Sequence, residues 1–342
     1  MWEGAAPEGG APAGRGRSAL VTGAAGFAGR WLCGALVQEG WKVTGIALSA
    51  SDVVSATGAG AGAPARDERP EVSWIAGDIR DPGVIARALD AAAPDVVFHL
   101  AGVSFVPSAE ADPGLAYDVN VTASARLLAA VAARRSAGTL DPVILVTGSG
   151  EQYGRHDAAD LPLVEDVPQR PMTVYAATKA AQEVAALQSC RKDGVRVIAT
   201  RPFNHSGAGQ DRNFLLPSLV RRALALRENG GTQLRIGNVE PVRDISHVRD
   251  VVRAYILLAD RGVAGVPYNV SSGAGISVGE LAQRVLARVG VDAEVTPDPA
   301  LMRRADVPAL VGSPARLVAA TGWAPTHTLD DLIDDLIDAA TH

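Results

Sequence analysis

Short apolar runs alternate with longer stretches of helical spacing through the first 200 or so residues. Ser18-Ala-Leu-Val-Thr22, Lys42–Leu48, Val72–Ala76, Asp95–Leu100, Pro142–Thr147 and Val195–Arg201 are such runs. Runs of this length without polar alternation mark strands buried on both faces. Between them lie helical patterns: Trp31, Leu32, Ala35 and Leu36, then an Ala- and Leu-rich stretch over 113–135, then the segment after Pro162, Pro168 and Pro171. Strands alternating with helices predict a parallel, doubly wound α/β sheet. Residues 49–70, rich in Ala, Gly and Pro, predict a loop. Beyond residue 202 the pattern is less regular. It predicts helices at 214–228, 248–260 and 277–289 and short strands near 233–236 and 268–270, with no internal repeat.

The first strand runs into Gly23-Ala-Ala-Gly26-Phe27-Ala28-Gly29 and then a helix. Glycines at this spacing let the backbone turn sharply and approach a pyrophosphate, while the helix start supplies free N–H groups and partial positive charge. The same spacing also suits a ligand-free strand-to-helix turn. The second strand ends in Ile46-Ala-Leu-Ser49, with neither an acid for a ribose diol nor an Arg for a phosphate. Asp52 comes a few residues late, as a ribose acceptor or a solvated loop acid; the missing acid leans toward NADP. Gly77-Asp78-Ile79 follows the third strand, with Asp78 either accepting from an adenine or capping the helix after Pro82. Leu100-Ala101-Gly102 is small enough for close backbone approach, and Ser104 follows where open α/β sheets bind ligands. Asn120 reads as a buried polar contact or a group bonded near the site.

Tyr175 and Lys179 stand four residues apart, on one face of a helix. An ammonium beside a phenol favours the phenolate and is expected to lower its pKa, which suits proton exchange. Ser149, in Gly148-Ser149-Gly150-Glu151-Gln152-Tyr153-Gly154, is placed to bond a substrate oxygen or to act as a turn serine. Glu151 is a base, a sugar-hydroxyl acceptor or an exposed loop acid. His205, with no acid beside it in sequence, reads as a turn histidine bonded to backbone. The later half offers Arg212, Arg235, Arg243 and Arg303 as cations for a diphosphate. Ala180, Ala181, Val184 and Ala185 form a flat apolar face suited to packing between subunits.

The net charge of −6, with dispersed basic residues, argues against nucleic acid and a polybasic membrane surface. No apolar run reaches a membrane span. Cys33 and Cys190 form no metal-ligand cluster and read as reduced, buried thiols of a cytoplasmic protein. Residues 1–17 lack apolar periodicity and the core of a secretory signal, and are expected to be a disordered tail.

The glycine loop, Gly77-Asp78-Ile79, His99-Leu-Ala, Ser149, Tyr175-x-x-x-Lys179 and Arg201-Pro-Phe-Asn-His205 together resemble the extended short-chain dehydrogenase/reductases acting on nucleotide sugars. Phe203–Gln210, Ile236–Asp244, Val248-Arg-Asp250 with Ala254-Tyr255, and Arg303–Pro308 with Gly312-Ser313 resemble the branch of GDP-mannose 4,6-dehydratases and GDP-4-keto-6-deoxy-D-mannose reductases, with spacing most similar to the reductases. The resemblance implies a Rossmann domain over 18–202. It also implies a smaller interwoven nucleotide-sugar lobe, mainly 203–342, with segments returning to the first domain. It implies an NADP(H) or NAD(H) cofactor held by Gly23, Gly26, Phe27, Ala28, Gly29, Asp78, Ile79, Leu100, Ala101, Gly102, Tyr175 and Lys179, and a homodimer. Tyr175 would donate the proton, assisted by Lys179, with Ser149 orienting the carbonyl and Glu151 nearby. Ser104, Glu151, Asn204, Arg212, Asn238, Arg243, Arg303 and Asp306 would face a nucleotide-diphosphate sugar, GDP-linked first of all. Gly150 stands where the branch has Ser or Asp, which favours simple reduction over dehydration. Phe105 replaces a more polar residue, and Asp306 a Glu. The implied reaction is 4-keto reduction of GDP-4-keto-6-deoxymannose to GDP-rhamnose. A 4,6-dehydratase, a TDP-sugar 4-ketoreductase or 4-epimerase, and a non-catalytic redox-sensing protein are the alternatives.

Overall fold

The computed structural model describes residues 16–57, 72–302 and 307–341. Parallel strands β1 (Ser18–Thr22), β2 (Lys42–Ala47), β3 (Val72–Ala76), β4 (Val96–His99), β5 (Val143–Thr147), β6 (Arg196–Pro202) and a later strand form one seven-stranded sheet. That later strand is β10, after β7 (Asn204–Ser206), β8 (Gln233–Ile236) and β9 (Val242–His247); it spans Pro267–Val270. The order is β10-β6-β5-β4-β1-β2-β3, so the chain winds one way from β1 and the other way from β4. The carboxyl ends of β1 and β4 flank that switch, where a crevice opens.

Burial on both faces follows from the alternation of side chains along each strand. Ala19 and Val21 join one core and Leu20 the opposite one. The first core packs under α1 (Phe27–Gln38), and later under α9 (Val248–Arg261) and α11 (Ala315–Thr321). The second is covered by α3 (Pro82–Ala92), α6 (Ala123–Ser136) and α7 (Val174–Asp193). Thr173 starts α7 by accepting from the Ala176 N–H at 3.1 Å, and Gly194 ends it in the left-handed conformation.

Several boundaries differ from the sequence expectation. Part of the expected 49–70 loop is helix α2 (Ala50–Thr57), begun by a reciprocal cap: Asp52 accepts from the Ser49 N–H and hydroxyl. Residues 58–71 lie outside the described residues. The single helix expected over 113–135 is α5 (Pro113–Tyr117), a wide π turn over Asp118–Thr122, and α6, with the short α4 (Val106–Ala111) just before it. The turn directs the Asn120 side chain inward, a common use of such bulges. Arg17 is not tail: it lies 4.1 Å from the Trp41 ring and pairs with Asp260 at 3.1 Å. Residues 1–15 lie outside the described residues. Cys33 is buried but Cys190 only partly so.

The second half builds a separate apolar core from α8 (Leu215–Asn229), α10 (Val278–Val289) and α12 (Leu329–Thr341). Beside it β9 pairs with β7, with β11 (Gly275–Ser277) and with β13 (Ala309–Leu310), while β12 (Glu294–Pro297) pairs with β8. Buried Asp244 on β9 ties this region together, accepting from the N–H groups of Ser272, Gly273 and Gly312. Among the described residues no helix is long and apolar enough to cross a membrane.

Candidate active site

The glycine loop leaves β1 at Gly23, whose φ of +68° is natural only for glycine. A Cβ there would stand 2.8 Å from the Ala101 Cα, and one on Gly29 would stand 2.1 Å from the Gly23 carbonyl oxygen. The loop is therefore pressed against both the start of α1 and the end of β4. No side chain caps α1 at Gly26. Its first-turn N–H groups, from Phe27 onward, are left for a ligand, with the helix's positive end behind them. This donor set and the bare backbone walls fit a dinucleotide diphosphate. The Ala101 N–H donates to Thr22 Oγ1 at 3.1 Å, which locks the Leu100-Ala101-Gly102 wall to β1.

Asp78 and buried Ile79 follow β3 on the same edge. Asp78 does not cap α3; Asp81 does, accepting from the Gly83 N–H at 2.8 Å. Arg80 grips the Asp78 carboxylate at 2.9 and 2.7 Å and holds its pKa below the usual range. An adenine acceptor at Asp78 would thus share its carboxylate with a guanidinium.

Tyr175 is the second residue of α7, and Lys179 lies one turn on. Ser149 starts a 3₁₀ turn (Gly150–Tyr153) at the end of β5. Its Oγ accepts from the Glu151 N–H at 3.1 Å, as a turn serine does, and its hydroxyl faces the Tyr175 hydroxyl. The expectation for the tyrosine pKa is overturned. Burial pushes Tyr175 up to about 12, against the pull of Ser149 and with a push from the Glu151 charge. The sequence placed a cation beside the phenol but gave no measure of enclosure. A raised pKa keeps the proton on the phenol at neutral pH, which suits an acid. Burial likewise lowers the Lys179 ammonium to about 8. Lys179 Nζ donates to the Thr147 carbonyl at 2.8 Å and stands 3.4 Å from where a Cβ on Gly102 would be. The catalytic candidates and the β4 wall therefore share one corner of the crevice.

Gly150 is sealed. A Cβ there would meet the Phe203 ring at 3.0 Å. Gly312 presses the other side, where a Cβ would meet the same ring at 2.3 Å. A Ser or Asp side chain at 150 would press on an aromatic ring held between two backbones.

Of the residues expected to face a sugar nucleotide, Ser104, Asn204 and Arg212 are exposed, and Asn238 and Arg243 half-buried. Asn238 Oδ1 accepts from the Glu240 N–H, and Arg243 Nη1 donates to the Val242 and Val307 carbonyls. Arg303 and Asp306 lie outside the described residues. Phe105 packs edge-on to Phe214 at 5.6 Å, across the gap between β4 and α8. His205 bonds the Phe203 carbonyl at 3.0 Å as expected, and stacks on Phe27 of the glycine loop.

Sequence reading gave Asn120 as a buried polar contact but missed the rest of the buried polar layer beneath this corner. His99 Nδ1 lies 2.8 Å from Thr22 Oγ1, and burial lowers the ring's pKa to about 3. Asn120 holds the wall from the other side: Oδ1 accepts from the Val103 N–H at 2.8 Å, and Nδ2 donates to Val103 O and Thr178 Oγ1. The available signal was a polar residue at helical spacing from Lys179 on a face that must be buried.

Residues 20–336 match the family model described as GDP-mannose 4,6 dehydratase. The chain is 38% identical to the GDP-6-deoxy-D-mannose reductase of Pseudomonas aeruginosa over 69% of its own length and 77% of the relative's. It is 30% identical to a UDP-glucose 4-epimerase of Corynebacterium glutamicum, covering 92% and 93% of the two chains. A solved structure of RMD from P. aeruginosa complexed with NADPH superposes with a TM-score of 0.76 at 29% identity, over 95% of this chain and 99% of that one. The chain belongs to the GDP-mannose 4,6 dehydratase family, nucleotide-sugar enzymes among the extended short-chain dehydrogenase/reductases.

Proposed function

We propose that the chain reduces the 4-keto group of a nucleotide-linked 4-keto-6-deoxyhexose, with GDP-4-keto-6-deoxy-D-mannose to GDP-D-rhamnose as the leading reaction. The observation carrying this reading is the Tyr175 hydroxyl facing Ser149, with Lys179 one turn on along α7. The likeness to the P. aeruginosa GDP-6-deoxy-D-mannose reductase supports the substrate. The nicotinamide cofactor, when bound over the glycine loop, supplies the hydride. Ser149 orients the ketone oxygen by a hydrogen bond. Tyr175 gives its proton to that oxygen as negative charge develops there, and Lys179 steadies the phenolate left behind. The end of β2 carries no acid for a ribose diol, and Asp52 beyond it spends Oδ2 on the Ser49 N–H and hydroxyl, which supports NADP(H) over NAD(H).

Purified protein given that ketosugar and NADPH is expected to consume absorbance at the reduced-nicotinamide band, faster than with NADH. No turnover with either cofactor removes the reading. A second reading, 4,6-dehydration, is favoured by Glu151, whose charge reaches the Tyr175 hydroxyl. Under it the protein would form ketosugar from GDP-mannose with no added cofactor, as the sealed Gly150 argues it does not.

The homodimer we infer pairs through α7. Val184 is 62% exposed there, with Leu115 and Tyr117 of α5 also exposed. Light scattering on the eluting protein should give twice the chain mass, and Val184→Glu should halve it; a wild-type monomer at micromolar concentration rejects this face.

A further inference from the structure

Lys179 has three N–H donors. One goes to the Thr147 carbonyl, and a second to Gln182 Oε1 at 2.9 Å. Gln182 lies three residues on along α7 and is fully buried. Its amide cannot turn over. Gln182 Nε2 donates to Ser124 Oγ at 2.8 Å, and Ser124 gives its only hydrogen to the Asn120 carbonyl at 2.6 Å. Ser124 must therefore also accept from His99 Nε2, 2.7 Å away. That fixes the His99 tautomer, with Nδ1 accepting from the Thr22 hydroxyl, which in turn accepts from the Ala101 N–H. Every hydrogen bond in the chain from the β4 wall to Lys179 thus has one direction.

We propose that Gln182 is a positioning residue of the reaction: its amide oxygen, locked by Ser124 and His99, aims the Lys179 ammonium so that the third N–H faces the open crevice at Gly102. The proposal uses the ketoreductase reading only for the part that Tyr175 plays. A neutral acceptor at 182 has a chemical consequence. A carboxylate there would hold the proton on Lys179 far into alkali, and an apolar side chain would leave the buried ammonium with one partner fewer and easily lost. An amide sets an intermediate affinity, near the pH at which a proton must be exchanged. The other titratable groups around this corner do not compete. His99 on β4 is neutral, Tyr175 on α7 keeps its proton, Glu151 acts on Tyr175, and Tyr255 on α9 is itself raised by burial and by Tyr175. Glu183, the next residue on α7, is turned to Arg201.

The sequence holds only three lysines, and Lys42 and Lys192 are exposed. Full-length protein labelled with 13C-lysine therefore gives one buried signal and two internal references. Titrated without ligands, Lys179 should move near pH 8 in the wild type. Gln182→Met should lower that midpoint by about one pH unit, tenfold in proton affinity, and Gln182→Glu should raise it by at least as much. The alkaline limb of kcat for ketone reduction should shift in the same order. Midpoints within about 0.3 unit of wild type in both folded variants overturn the proposal. Should either variant fail to fold, Ser124→Ala leaves Gln182 in place but frees its amide; an unchanged Lys179 midpoint and unchanged kcat limb there overturn it equally. A wild type that reduces no ketosugar ends the ketoreductase reading and leaves the lysine titration to decide on Gln182.

Discussion

Tyr175→Phe is expected to lower kcat for ketone reduction by roughly 10²- to 10⁴-fold, the usual contribution of a positioned general acid. The substitution removes one oxygen and keeps the ring. Ser149 retains its turn bond from the Glu151 N–H, and Lys179 retains Thr147 and Gln182. Cofactor affinity, read by quenching of protein fluorescence with NADPH, should therefore change by less than about tenfold, one hydrogen bond's worth. The high pKa of Tyr175 gives the sign of the pH dependence. A group whose pKa is raised keeps its proton throughout the neutral range, so wild-type reduction should hold through neutral pH and fall in alkali. A Phe variant retaining more than a tenth of wild-type kcat would mean that some other group delivers the proton.

Arg201→Met should destabilise the fold by about 3–5 kcal/mol, the cost of leaving a buried charge without its partner. Glu183 and Arg201 are both almost wholly buried and meet through two bonds, at 2.9 and 2.6 Å. Arg201 Nη1 also donates to the Tyr153 hydroxyl and the Glu165 carbonyl. On the Glu183 carboxylate, the Gln152 and Gln169 amides complete the set at 3.0 and 2.8 Å. The loss reaches the site, because Gln152 Oε1 accepts from the Ser149 N–H at 2.6 Å. Urea unfolding at pH 7 measures the effect. Replacing both partners, Glu183→Leu with Arg201→Met, should recover much of the loss, since no lone charge then remains. A single variant within about 0.5 kcal/mol of wild type would show that water reaches the pair.

The main sheet was legible because its inner strands are buried on both faces and read as apolar runs, and the half-buried edge strand β3 keeps a similar run. Ser18–Thr22 and Val72–Ala76 fall where the pattern placed them. Tyr175 and Lys179 were legible because helical spacing alone puts them on one face. The proton affinity of Tyr175 was not. It depends on enclosure by segments distant in sequence, and burial outweighs the pull of Ser149 there. The strands β7, β11 and β13 have two or three residues each, too short for any periodicity to show, and exist through β9. The helix at Ala50–Thr57 was hidden by a composition that suits loops, although Ser49 and Asp52 carry its start signal. The wide turn at Asn120 breaks no apolar pattern, so nothing in the spacing announced it.

The place of β10 at the edge of the main sheet has a consequence for how the polypeptide is made. The β6 edge stays open until Pro267–Val270 emerges from the ribosome, some 65 residues after Pro202. At about 5–20 residues per second this delay is roughly 3–13 s. During it the nascent protein carries an unpaired strand, and the α9 helix that covers the first core is itself still being synthesised. The two halves thus cannot mature strictly in turn, and the β6 edge stays open to other strands for as long as that seam is unfinished.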